Sequence, residues 1–153
     1  MFSLTCCKQQ FRFDQPPSIA LAFLQLTTSE ELPVPVRQLC GVELKNHVQW
    51  RWSSTEAKAA AADADDDRVR EPLSDAERNL LRPALLDSAA ACGEAAVRRQ
   101  LLAALRIVLE NDYPKVFTDA VQRCAAALEQ AHAAGGEGAF ALFIGPLQCL
   151  RVS

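Results

Sequence analysis

An all-α fold, an α-solenoid of about three helical hairpins, is predicted for this 153-residue chain by three observations. The first is composition: half the residues are apolar, yet only 7% are aromatic, with a heavy load of Ala and Leu and few β-branched runs, which favours helices over sheet. The second is the stretch EAAVRRQLLAALRIVLENDYPKVFTDAVQRCAAALEQ from Glu94 to Gln130, where helical period and helix-stop chemistry coincide. The third is spacing. Helix starts near Glu94 and Gly138 lie 44 residues apart, inside the ~40–47-residue period of hairpin solenoids of the HEAT type.

In the Glu94 stretch, Val97, Leu101, Leu105 and Val108 recur at helical steps, widened by Leu102 and Leu109, while Arg98, Arg99, Arg106 and Glu110 fall outside the stripe. The helix has to stop near Asn111, because Pro114 lacks an amide proton and pushes Tyr113 away from helical angles. Pro114 then suits the first turn of a second, antiparallel helix. Its apolar stripe would be Val116 or Phe117, Val121, Cys124 and Leu128.

Earlier in the chain, residues 1–17 show no sustained period and are left unassigned. Ser18 is a cap for a short helix, IALAFLQL, apolar almost all round, which Pro33 and Pro35 stop. From Val36 to about Trp52 the helical period returns, with Val36, Leu39 or Cys40, Leu44, Val48 and Trp52 on one face. Gly41 inside that helix costs about 1 kcal/mol relative to Ala, so it marks either a close helix approach or a tolerant position. Residues 53–73, with the acidic run Asp63, Asp65, Asp66 and Asp67, read as an exposed inserted connector; without them the preceding repeat has the expected length. Ser74-Asp75-Ala76-Glu77 is a capping box, opening a helix with Leu81, Leu85, Ser88 and Cys92 inward and Pro83 bending it. At the far end, Ala139 to Val152 reads as an apolar helix interrupted by Gly145-Pro146.

A net charge of −3 and a pI near 5.4 exclude the dense basic face of a nucleic-acid binder. The apolar half of the composition excludes a disordered acidic chain. Six cysteines, at 6, 7, 40, 92, 124 and 149, form no C-x-x-C or Cys/His pattern, so no metal site is expected, and Cys40, Cys92, Cys124 and Cys149 read as small buried hydrophobes in a reducing compartment. With no run of 18 apolar residues and no signal-peptide pattern, a soluble intracellular protein is expected. His47 reads as a partly buried helix residue and not a ligand. Asp112 and Tyr113 are explained by capping, and the two histidines, His47 and His132, fall in different hairpins, so catalysis is not predicted.

Several stretches resemble the importin-β superfamily of transport receptors. LPVPVRQLCGVELKNHVQWRW looks like its second repeat, through Val36-Arg37-Gln38, Leu44-Lys45-Asn46 and Trp50 or Trp52. LSDAERNLLRPALLDSAA continues the match, and VRRQLLAALRIVLENDYPKVF is similar to the family's V-R-x-Q-L…A-L-x-x-I…D-[YF]-P-x-x-W. The D-Y-P form resembles the importin-seven/eight branch. The resemblance runs from about Pro16 to Arg151, with departures: the family's first helix is missing or replaced by MFSLTCCKQQFRF, Phe117 stands where Trp is usual, Thr118 where Pro often follows, and Pro83 interrupts a helix usually free of it.

What the resemblance implies is binding without cofactor: an N-terminal arch that grips the GTP-bound form of the small GTPase Ran with its inner helices, in a protein that passes between cytoplasm and nucleus. By position the inner helices are Ser18–Thr28, Asp75–Ala91 and Lys115–Ala131. Their outward polar residues Arg78, Arg82, Asp119, Gln122 and Arg123 are the implied contacts. Cargo and nuclear-pore proteins would be partners only of a longer chain, since complete family members carry many more repeats. The competing expectations are a Ran-independent helical scaffold or adaptor, and a truncated fragment without function whose apolar faces at Ile19–Leu26 and Phe140–Leu150 stay open.

Overall fold

The computed structural model describes residues 18–52 and 72–134, and over these the chain is helical with no strand. Five helices follow in order: α1 Ile19–Thr28, α2 Val34–Arg51, α3 Asp75–Ala91, α4 Ala95–Asp112 and α5 Ala120–Ala134. Among the described residues, no helix is long and apolar enough to cross a membrane. The expected segments at 1–17, in the connector and at Ala139–Val152, and Cys149, lie outside the described residues.

Helices α1 and α2 form one hairpin and α3 and α4 a second, stacked so that α1, α3 and α5 make one row and α2 and α4 the other. This is the two-layer arrangement of a helical-repeat solenoid, in which each hairpin buries its apolar stripe only against its neighbours. The common core takes Leu21 and Leu24 from α1, Leu44 and Val48 from α2, Leu81, Leu85 and Leu86 from α3, and Val97, Leu101, Leu105 and Val108 from α4. All four stripe residues read from the α4 sequence are fully buried.

Each hairpin is closed by the same device. Arg37, in the first turn of α2, donates from Nε to the carbonyl of Thr27 at 3.0 Å, near the C-terminus of α1. Arg98, one turn into α4, donates to the carbonyls of Cys92 at 2.8 Å and Gly93 at 3.4 Å, just past α3. In both cases a Val-Arg pair opens the second helix, and although Val97 is buried and Val36 is exposed, Arg in each satisfies carbonyls at the end of the preceding helix, which the helix itself leaves free and which carry its negative dipole end. Arg98 is therefore 6% exposed, a correction to its expected place on the wet side: the backbone carbonyls of another helix, invisible in the local period, take it in.

Helix starts follow local chemistry. Ser18 Oγ accepts from the amide of Leu21 at 3.2 Å. Ser74 and Glu77 form the full capping box, the Ser74 amide donating to Glu77 Oε2 at 2.9 Å. Burial pushes the Glu77 carboxyl up, but bonds from the Ser74 amide and hydroxyl and from Ser18, with the nearby Arg51 charge, hold it below its ordinary value. Pro33 and Pro35 open α2 and do not end α1, which stops at Thr28; a proline costs nothing where the amide has no helical partner. The amide of Leu73 donates to the carbonyl of Arg51 at 3.0 Å, so α3 resumes beside the point where α2 ends.

Two expectations about the second half are corrected. Pro114 does not open a helix: residues 113–119 form a turn, with the amides of Val116 and Phe117 donating to the Asp112 carbonyl at 2.7 and 3.0 Å, and α5 begins at Ala120. Moreover, α5 packs on α3 and not as the expected hairpin partner of α4. Phe117, Ala120 and Cys124 face the core, while Val116 and Val121 are 58% and 39% exposed. Helix α3 continues through Pro83 to Ala91.

Gly41 marks a close approach. A Cβ there would lie 2.9 Å from Cβ of Gln100 on α4 and 3.4 Å from the Thr27 methyl on α1. Gln100 Cβ is fixed to its helix, so α2 and α4 would have to separate. Gly41→Ala should therefore lose stability by about 1–2 kcal/mol in urea unfolding, the overpacking cost exceeding the gain in helix propensity; a stabilised variant would show that the helices yield freely at this crossing.

Candidate functional site

At the end of the stack where α2 and α4 finish, three side chains from three helices meet. Asp112, the last residue of α4, accepts on Oδ2 from Trp52 Nε1 at 3.0 Å and from Arg82 Nε at 2.6 Å. The Arg82 guanidinium also lies over the Trp52 ring, 5.4 Å from its centroid, a favourable cation–π distance. Trp52, Arg82 and Asp112 are 1%, 7% and 8% exposed. The two rows are thus joined by a desolvated, charge-assisted knot, in which each polar group depends on the others for its partner.

Beside this knot, on the row made by α1, α3 and α5, lies a cleft of about 200 Å³ lined by Asn79, Arg82 and Pro83 of α3, Val116, Phe117 and Asp119 of the 113–119 turn, and Arg123 of α5. The turn, by delaying α5, sets this space open against α3. Asp112 has a second part in it, since its backbone carbonyl holds the turn while its carboxylate holds Arg82.

Of the five residues implied as partner contacts, the cleft gathers Arg82, Asp119 and Arg123. Arg82 is not outward, contrary to expectation: its charge is spent on Asp112, and Nη1 donates to Asn79 Oδ1 at 2.6 Å. Arg123 bridges two acids, Asp119 from Nε at 2.7 Å and Asp87 from Nη1 at 3.3 Å, tying α5 to α3. Its bond to Asp119 raises its pKa further above the ordinary arginine value, against burial, with Asp87 adding to the effect. Gln122 is exposed on α5. Arg78 lies half-buried one turn before Arg82, and its Nε is buried without a hydrogen-bond partner among the described residues. Asn79, Pro83, Val116 and Phe117 were not singled out by the sequence as contacts. Their local signals were two irregularities, Pro83 inside α3 and the D-Y-P turn after α4.

The fold is a two-layer α-solenoid with a cleft on the row made by α1, α3 and α5. The family model of the importin-beta N-terminal domain matches residues 9–91, more than half of the chain. The chain belongs to the importin-β family. It is also similar to Importin-8 of Danio rerio, 28% identical over 108 residues, which is 69% of this chain and 10% of that protein. It therefore spans about a tenth of the length of that curated relative, on the side of the family that the D-Y-P form indicated. No solved structure matches the chain.

The geometry separates structural from surface charge. Asp112→Ala should cost about 3–5 kcal/mol in denaturant unfolding, because it leaves the buried Arg82 charge and the Trp52 donor without their acceptor. Arg123→Ala, removing a partly exposed pair, should cost about 1 kcal/mol or less. Similar losses for the two would contradict the assignment of Arg82 and Asp112 to the core and of Arg123 to the surface.

Proposed function

We propose that this chain is the N-terminal arch of a nucleocytoplasmic transport receptor and that its α1–α3–α5 row binds the GTP-bound form of the small GTPase Ran. Membership of the importin-β family carries this reading. The row supports it, since the three helices expected to face the partner do lie side by side.

Recognition would be state reading. The γ-phosphate and its magnesium order a GTPase's switch loops, and a rigid surface that fits the ordered loops favours that state by its differential affinity alone. Nucleotide and metal belong to the GTPase, and this chain binds and does not catalyse. Asp119, Gln122, Arg123 and Arg78 are the proposed contacts, and Arg82, held by Asp112, Asn79 and Trp52, lines the cleft beside them. Such a receptor would work in cytoplasm and nucleus, with cargo and pore proteins held by further repeats.

The test is a titration of the chain with Ran loaded with a non-hydrolysable GTP analogue and, in parallel, with GDP. Selective binding of the GTP form is expected, weakened about tenfold by Asp119→Lys or Arg123→Glu as charges at an interface rim. Equal or absent binding in the two states would overturn the reading and leave a Ran-independent scaffold.

A further inference from the structure

The cleft between α3 and the 113–119 turn has polar groups left over after its internal bonds are counted. Arg82 is more than nine-tenths buried and lines the cleft, yet its Nη2 makes no hydrogen bond among the described residues, where Nε serves Asp112 and Nη1 serves Asn79. Asn79 accepts on Oδ1 and so turns away two unused Nδ2 hydrogens. Arg123 uses Nε and Nη1, leaving Nη2. Opposite in sense, Pro83 has no amide hydrogen to give the carbonyl of Asn79 one turn earlier. The cleft therefore offers several free donors and one backbone acceptor without its helical donor.

Charge then narrows the occupant. Two guanidinium groups, Arg82 and Arg123, are matched by three carboxylates, Asp112, Asp119 and Asp87. Among the described residues that line the cleft and their ion-pair partners, no positive charge is in excess to hold an anion, although the donors would otherwise suit one. A neutral group that both accepts and donates fits this pattern. Val116, 58% exposed, with Phe117 and Pro83, adds an apolar wall. The volume of about 200 Å³ falls below the ~300–1,000 Å³ of sites for whole small molecules and suits part of a chain.

We infer that this cleft receives a peptide-backbone amide of a partner protein, its carbonyl accepting from Arg82 Nη2 and Asn79 Nδ2, its N–H given to the Asn79 carbonyl, and an aliphatic side chain laid on Val116. The inference deepens the reading of this row as a partner-binding face and rests on it. Because Arg82 also holds Trp52 and Asp112, an occupant is sensed directly by the knot between the two rows.

The experiment titrates the isotopically labelled 153-residue chain with N-acetyl-leucine methylamide and, separately, with inorganic phosphate, following the Asn79 side-chain amide and the Arg82 Nε–H by NMR. No GTPase is present, so failure here is distinct from failure of Ran binding. Saturable shifts at both groups are expected with the neutral amide, weakened about fivefold by Asn79→Asp, the loss of one neutral hydrogen bond. Asn79→Asp keeps an oxygen for Arg82, and Val116→Ser, at an exposed position, should weaken the same titration with the knot intact. Absence of saturable shifts, unchanged affinity in both variants, or tighter binding of phosphate would overturn the inference.

Discussion

One carboxylate oxygen, Oδ2 of Asp112, takes hydrogen bonds from Trp52 at the end of α2 and Arg82 in the middle of α3, while Asp112 itself ends α4. Three of the five described helices are fixed to one another at that point. A buried ion pair adds little net stability, because desolvation offsets most of the attraction, but it strongly penalises any arrangement that breaks it. Its effect is one of specificity: helices whose apolar stripes could slide by a turn are held in one register. The same residue's carbonyl accepts the amides of Val116 and Phe117, so the place where α5 begins is set by the residue that joins the rows.

The capping arginines work on the same logic at the opposite ends of the helices. Arg37 and Arg98 each sit one turn into the second helix of a hairpin and close the carbonyl end of the first. Solenoid repeats gain stability by stacking, and in both described hairpins the same polar device ties the start of the second helix to the end of the first. Gly41 is the complement of that order, a place where α2 lies so near α4 and α1 that no side chain fits.

Local signals were legible and long-range ones were not. The α4 stripe, the Ser74 capping box and the stop near Asn111 depend on residues within a turn or two of one another; the stripe and box are found as read, and the helix ends one residue on, at Asp112. Gly41 was legible only as an alternative, which the Gln100 contact decides. Family position put Arg82 outward and helical period put Arg98 outside the stripe; their acceptors, thirty residues on in Asp112 and in the backbone just past another helix, carry no local mark. Pro114 fits a first helical turn as well as a tight turn, so periodicity could not choose, and the cleft that the turn creates was hidden with it. Family position marked three of the cleft's residues as contacts, but not Asn79, Pro83, Val116 or Phe117, which come together only through the 113–119 turn packed on α3.

The central claim is that Trp52, Arg82 and Asp112 act as one unit that joins the rows and thereby shapes the cleft beside them. The most direct measurement is a double-mutant cycle of Trp52→Phe and Asp112→Ala by denaturant unfolding. The account predicts a coupling energy of about 1–2 kcal/mol, since either change alone already breaks the shared bond. Losses that add to within about 0.5 kcal/mol would contradict it, leaving the knot as a set of neighbours that merely touch.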